Sequence, residues 1–221
     1  MQDILYFIEH LLQNYPLLFW QIISVLPPFV LSLIRHRVLH GEITLIKYYV
    51  WASLVFEIVN NAIAIQNKDN SLVYNIFSVF ECLLLGTYYY QILHSPSIRK
   101  GLITVLIVFM VGSIVNLLWG EGSGFNANTY MVAALIMLVV SLLYYYQLLT
   151  SLEVPFLLKS PHFWINSGVL LYFSGSFFVF MFAGLILSIE FKPEFEYWNI
   201  TALLNITFRI ILAISFWLVK R

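Results

Sequence analysis

Three ionisable side chains, Glu57, Glu81 and Arg209, fall inside long apolar stretches of this 221-residue chain. An ionisable group in hydrocarbon is costly unless it faces the interior of a helix bundle and has a partner there. One arginine cannot neutralise two carboxylates, so either one glutamate keeps its proton or a cation or polar ligand supplies the missing charge. We therefore predict a ligand or proton site. The alternative is a Glu–Arg pair that only fixes packing, with the second glutamate protonated and hydrogen-bonded to an asparagine.

Polar residues at helical spacing extend this candidate site. Helix geometry places Glu57 and Glu81 roughly 12–14 Å beneath the same boundary of the apolar layer. Arg209 is expected to reach toward both, and we predict that Arg209→Gln is better tolerated together with Glu81→Gln than alone. The complete predicted ligand or proton site consists of Glu57, Asn60, Asn61, Asn75, Glu81, Asn116, Thr201, Asn205 and Arg209.

Several chemistries do not fit the residues present. Retinal would need a lysine deep in a span, and an intramembrane serine protease would pair Ser174 or Ser176 with a basic partner at similar depth. Membrane zinc enzymes need several ligands within the spans, and no glycine-rich phosphate loop is present. We therefore predict no catalytic residue, cofactor or metal, and no enzymatic activity. The histidines all fall at span ends or in loops, at His10, His36, His40, His94 and His162.

The composition is that of an integral membrane protein. Hydrophobic residues make up 61% of the chain and charged residues 10%, against about 25% charged in soluble domains. Eleven basic residues balance eleven acidic ones, which disfavours a nucleic-acid partner. A span needs about 20 apolar residues, and we predict one all-α domain over residues 1–221 with seven spans. Their predicted bounds are 17–34, 43–65, 72–93, 102–119, 130–150, 163–188 and 197–219.

Basic residues in short loops give the predicted orientation. With the N-terminus outside and the C-terminus cytoplasmic, only Lys68 and Lys192 lie outside. We therefore predict a multi-pass protein of a bacterial inner membrane, with the lipid bilayer as its first partner. The eight residues on the cytoplasmic side are then Arg35, Arg37, Lys47, Arg99, Lys100, Lys159, Lys220 and Arg221.

Two spans and the N-terminal segment have further features. Pro27 and Pro28 fall within the first span, where missing amide donors must kink or break the helix. The small residues Ser174-Gly-Ser176 in the sixth span favour close helix packing. Residues 1–14 repeat apolar positions at helical spacing, which is typical of an interfacial helix. A plain extension of the first span fits the same pattern.

An internal repeat links two pairs of spans. Residues 54–93 align without a gap to residues 110–149, giving eleven identities in forty. Asn60 matches Asn116, Tyr74 matches Tyr130, and one Tyr-Tyr-Tyr-Gln run matches another. We therefore predict that spans 2–3 and 4–5 are a duplicated hairpin. Shared membrane composition is the alternative, because tyrosines cluster at membrane interfaces in any case.

Three groups of residues resemble those of a family of uncharacterised bacterial seven-helix membrane proteins. They are Tyr74-Asn75 with Glu81, the helix-six stretch Ser160-Pro-His-Phe-Trp-Ile-Asn-Ser-Gly with Tyr172-Phe-Ser-Gly-Ser-Phe, and Asn205, Arg209 and Trp217. The resemblance covers most of residues 45–217. Members are sometimes encoded near sensor histidine kinases, so the resemblance implies a sensory or accessory role and a kinase as a possible partner.

Three functions are compatible with these features. The leading prediction is a membrane receptor or accessory sensor that binds a small polar ligand or proton in the buried Glu/Asn/Arg layer and signals to a partner. The second is a small proton-coupled transporter that uses the same carboxylates. The third is a structural membrane subunit.

Overall fold

The computed structural model describes residues 9, 12–66, 68–119, 126–151, 156–188 and 194–219. The elements in these ranges are helical, and no strand is found among them. The bounded elements are α1 (Pro16–Ser24), α2 (Leu26–Ile34), α3 (Ile43–Ile65), α4 (Ser71–Ile92), α5 (Pro96–Trp119), α6 (Ala127–Ser151), a 3₁₀ turn (Leu157–Lys159), α7 (Pro161–Ser188) and α8 (Glu194–Leu218).

Seven helical segments of the described chain are long and apolar enough to cross a membrane, with α1 and α2 together forming the first. This confirms the predicted all-α, multi-pass architecture. The second span has the predicted bounds, and the others differ by a few residues at their ends. The proposed interfacial helix of residues 1–14 lies largely outside the described residues, of which 9 and 12–14 are helical.

Six of the seven spans form a closed ring. Going round it, α1 and α2 are followed by α3, α4, α6, α7 and α8, and α8 packs back against α1 and α2. The first and last spans of the chain are therefore neighbours. Helix α5 packs mainly on α4 and α6 from outside this ring, so the two hairpins predicted to be duplicates occupy unlike positions.

The first span is interrupted at Val25, between α1 and α2. Pro27 and Pro28 lie in the first turn of α2, where a missing amide donor is tolerated. The Val25 amide is directed to the Ile23 carbonyl. The predicted interruption is confirmed, and it falls two residues before the first proline because the prolines begin a new helix rather than end the old one.

Glycines set the close approach of α7 and α8. A Cβ built on Gly168 would lie 2.9 Å from the Phe208 ring, and one on Gly175 would lie 2.6 Å from a Leu204 methyl group. Only a hydrogen in place of Cβ lets these helices pack at this distance. The predicted close packing of the sixth span is therefore confirmed.

Candidate functional site

A cavity of about 250 Å³ opens between the helices of the ring. It extends from Ala64 and Asn70, where α3 ends and α4 begins, down to Tyr49 and Glu81 near the middle of the bundle. We call the membrane face at Ala64 and Asn70 the mouth face. Seven of the nine predicted site residues line this cavity, namely Glu57, Asn60, Asn61, Glu81, Thr201, Asn205 and Arg209.

Arg209 and Glu57 form a buried ion pair across the cavity. The Arg209 Nη2 atom of α8 lies 2.5 Å from Glu57 Oε1 of α3, and both side chains are more than nine-tenths buried. Among the described residues this is the one ion pair found. A charge in this environment is stable because its partner lies at hydrogen-bond distance.

The interruption of the first span gives Arg209 a second partner. Its Nη1 atom donates to the Gln21 backbone carbonyl at 2.6 Å and to Ser24 Oγ at 3.3 Å. The Ser24 hydroxyl also donates to the Gln21 carbonyl, at 2.6 Å. The end of α1 therefore supplies oxygen acceptors to a guanidinium, which prefers several planar hydrogen bonds. The proline pair thus contributes to the site through the helix end that it creates.

Glu81 has a different partner from the predicted one. Its Oε1 accepts a 2.6 Å hydrogen bond from the Tyr49 hydroxyl, and within the described residues no ion pair joins it to Arg209. Arg209 therefore makes its direct ion pair with Glu57, although its charge still acts on Glu81 at longer range. The hydrogen-bond partner of Glu81 is a tyrosine and not the asparagine of the alternative interpretation. In the ring, α8 and α3 are separated by the first span alone, whereas two spans separate α8 from α4. Arg209 consequently reaches Glu57 first.

The asparagines on α3 behave differently from one another. Asn61 donates to the Glu57 backbone carbonyl at 2.7 Å and to Glu57 Oε2 at 3.4 Å. Asn60 donates to the Tyr74 hydroxyl at 3.0 Å, while its Oδ1 is buried without a hydrogen-bond partner in the described part of the chain. Asn60 therefore contributes a buried acceptor to the cavity wall. On α8, Asn205 donates to the Thr201 carbonyl of its own helix.

Asn75 and Asn116, the other two residues of the predicted site, do not line this cavity. Asn75 Oδ1 accepts a 3.0 Å hydrogen bond from the Asn126 amide just before α6. Asn116 lies on α5 outside the ring, and its amide is 3.5 Å from the Thr129 hydroxyl of α6. Both side chains join neighbouring helices instead, because a polar residue in a span can be satisfied at any helix–helix contact.

Aromatic side chains form much of the wall, and the sequence did not predict this. Phe56 and Phe77 stack with centroids 4.1 Å apart, and Tyr74 lies 6.4 Å from Trp198. Eight of the twenty residues around the cavity are aromatic. Tyrosine and tryptophan in spans are usually assigned to the membrane interfaces. The one sequence signal for a cavity wall was that some of these aromatic residues lie on the same helices as Glu57 and Glu81, close to them in sequence. The eight are Tyr49, Phe56, Tyr74, Phe77, Tyr130, Tyr172, Phe180 and Trp198.

Closely packed apolar side chains lie below the cavity, away from the mouth face. Leu85 follows Glu81 by one turn of α4, and Leu212 follows Arg209 on α8; both are fully buried. Val169, one turn from Tyr172 on α7, is fully buried as well. Phe208 closes the same layer and stacks on Tyr172 at 5.1 Å. The cavity therefore ends on a layer of apolar side chains.

A carboxylate stands beside the mouth of the cavity. Asp69 precedes Asn70, and its Oδ1 accepts a 2.9 Å hydrogen bond from the Ser71 amide. Hydrogen bonds from the Ser71 side chain and backbone hold the pKa of Asp69 below its ordinary value. Asp69 therefore stays ionised at neutral pH at the entrance.

Comparison of the chain with known proteins gives no matching family model, no matching curated protein and no matching solved structure.

Proposed function

We propose that the protein is a membrane receptor or accessory sensor that binds a small polar ligand in this cavity and signals to a partner. The observation that supports this most directly is the unequal state of the two carboxylates. Glu57 is neutralised by Arg209 at 2.5 Å, whereas Glu81 accepts a hydrogen bond from a neutral tyrosine hydroxyl. A cavity of about 250 Å³ beside Glu81 gives room for a ligand, and is smaller than the roughly 300 Å³ at which drug-sized pockets begin.

In the described part of the structure the cavity opens to one membrane face only, because the fully buried Leu85, Val169 and Leu212 close it toward the other. A receptor needs no second opening, whereas a carrier would have to open this apolar layer in another state. The proton-coupled transporter and the structural subunit are the competing functions. Flux of a bound molecule into liposomes would support the first of them, and absence of any bound molecule would support the second.

We further propose that the mouth face is the outer face of a bacterial inner membrane. The proposal follows the positive-inside bias: eight basic loop and span-end residues fall on the opposite face and two on the mouth side. With this orientation the N-terminus is outside and the cavity receives ligands from outside the cytoplasm.

Signal transfer to a kinase or another membrane partner would involve the first and last spans. Arg209 joins α8 to the end of α1, and at the cytoplasmic end the Arg35 guanidinium donates to the Val219 carbonyl at 2.5 Å and to the Trp217 carbonyl. Ligand-dependent movement of one of these spans would therefore act on the other. A change at Arg35 would break these contacts within the protein. A variant that tests partner binding is therefore better made at Arg37, which is exposed.

We also propose that α3–α4 and α5–α6 derive from one duplicated hairpin. Asn60 on α3 donates to the Tyr74 hydroxyl on α4, and its counterpart Asn116 on α5 lies 3.5 Å from the Thr129 hydroxyl on α6. Equivalent asparagines in both hairpins thus contact a hydroxyl on the following helix, which supports a common origin.

Native mass spectrometry of protein extracted gently from its own membrane tests the binding function. We expect a small molecule to be retained by the unchanged chain and lost in Glu81→Gln and in Arg209→Gln. Glu42→Gln is the matched control, because it is the same carboxyl-to-amide change just before α3 and outside the cavity. A chain that carries no molecule under any gentle condition would contradict the receptor function.

A further inference from the structure

We propose that the ligand of the cavity is a short organic ammonium ion whose charged end contacts Glu81 and whose other end carries a hydrogen-bond donor for Asn60. This inference rests on the proposed binding function and adds the chemical class of the ligand. Three separate observations support it: the charges around the cavity, a hydrogen-bond acceptor that is unpaired within the described residues, and the aromatic side chains that line the cavity.

The formal charges on the cavity wall leave one carboxylate without a cation. Glu57, Glu81 and Arg209 are the ionisable acid and base groups that line it. The guanidinium is engaged by Glu57, the Gln21 carbonyl and Ser24. Glu81 accepts a hydrogen bond from the neutral Tyr49 hydroxyl, which does not supply a positive charge. A cationic ligand therefore complements this wall, and an anionic one would meet repulsion.

The ligand would have two anchors, Glu81 for its charge and Asn60 for a hydrogen bond. Asn60 offers an acceptor that has no donor in the described part of the chain. Asn60 is more than nine-tenths buried, lines the cavity, and has no partner for Oδ1 within the described residues. A buried acceptor left unpaired is costly, and the cost is relieved when a ligand donates to it. A hydroxyl, amide or ammonium N–H meets this need.

The separation of the two anchors sets the length of the ligand. Asn60 contacts Tyr74, and Tyr74 precedes Glu81 by seven residues of α4, about 10 Å at the helical rise. Two hydrogen bonds of about 2.9 Å each leave roughly 4–5 Å between the two end atoms of the ligand, so a chain of about three carbons fits between Glu81 and Asn60. A single metal ion does not span them, and the described residues contain no cluster of three or more His, Cys, Asp or Glu that could hold one.

The wall between the anchors is aromatic. Phe77 lies on α4 between Tyr74 and Glu81 and stacks on Phe56 at 4.1 Å; both line the cavity, as does Tyr172. Aromatic faces attract ammonium groups through their quadrupole and also accommodate an alkyl chain. The wall therefore suits both parts of the proposed ligand.

Binding of four three-carbon probes to the purified chain in nanodiscs tests the ligand class. The probes are 3-amino-1-propanol, propylammonium, 1-propanol and propanoate. We expect the amino alcohol to bind most tightly, propylammonium next, and the neutral and anionic probes least. Glu81→Gln should weaken both ammonium probes about thirtyfold or more, the change expected for loss of a buried charge pair, and leave 1-propanol unchanged. Asn60→Leu should reduce the amino alcohol to the level of propylammonium.

Three further variants provide the controls for this test. Glu42→Gln should bind every probe like the unchanged chain. If Glu81→Gln does not fold, Phe77→Leu should still weaken the ammonium probes, by about three- to thirtyfold, while Phe109→Leu in the buried core of α5 should not.

Stronger binding of propanoate or 1-propanol, or ammonium binding that survives both Glu81→Gln and Phe77→Leu, would overturn the ammonium assignment. The receptor function would then stand if a molecule of another class is still retained in an Arg209-dependent manner. Absence of any retained molecule and of any probe binding would overturn both.

Discussion

Arg209 connects three parts of the chain at a single side chain. Its guanidinium contacts Glu57 on α3 and the Gln21 carbonyl and Ser24 hydroxyl at the end of α1. Removing one partner of a buried ion pair leaves the other charge uncompensated, which costs more than removing both. The identity of the partner is therefore measurable through stability.

We expect Arg209→Gln to destabilise the protein by about 3–5 kcal/mol, because Glu57 is left buried without a counter-charge. Addition of Glu57→Gln should recover part of this loss, whereas addition of Glu81→Gln should not. The measurement is a double-mutant cycle on reversible unfolding in mixed micelles. Recovery by Glu81→Gln rather than by Glu57→Gln would show that the pairing described above is incorrect.

At the scale of the elements, α7 and α8 are held together by contacts that tolerate no additional atoms. Gly168 faces the ring of Phe208 and the branched side chain of Ile211, at 2.9 and 3.0 Å from an added Cβ. Phe208 is itself fully buried and stacks on Tyr172 in the cavity wall. A change at this contact therefore reaches the ligand cavity through one ring.

Gly168→Ala should destabilise the protein by about 1–3 kcal/mol, the usual effect of overpacking a core. Gly112→Ala is the matched control: Gly112 lies within α5, and an added Cβ there meets nothing within 4 Å. The control should be neutral or slightly stabilising, because alanine favours a helix over glycine. Thermal unfolding of the two variants in the same detergent measures the difference, and equal losses would contradict the close α7–α8 packing.

At the scale of the whole molecule, orientation decides which compartment the cavity serves. The chain has a single cysteine, Cys82, which is fully buried. Its replacement by alanine gives a background in which cysteines can be introduced singly at exposed positions. Lys68 at the mouth face and His40 at the opposite face are both exposed.

We expect Lys68→Cys to react with a membrane-impermeant maleimide in intact cells, and His40→Cys to react only after permeabilisation. The reason is the excess of basic residues on the His40 face, which is retained in the cytoplasm during insertion. The reverse labelling pattern would place the mouth of the cavity on the cytoplasmic face.

Much of the architecture could be predicted from the sequence, because apolar length alone identifies membrane helices. Seven of the nine proposed site residues also line the cavity, since ionisable residues in spans must face the interior. The order of helices around the ring has no such local signal. Asn75 and Asn116 therefore could not be separated from the residues that line the cavity, and Glu57 could not be distinguished from Glu81 as the ion-pair partner of Arg209.

The ion pair between Glu57 and Arg209 joins residues that are 152 positions apart. At translation rates of about 5–20 residues per second, a nascent chain carries Glu57 for roughly 8–30 seconds before Arg209 is made. Throughout that interval the insertion machinery or a chaperone must shelter a lone carboxylate and a first span without its final neighbour. A chain released early keeps both defects. The contact that shapes the mature cavity therefore forms only when nearly the whole chain has been made.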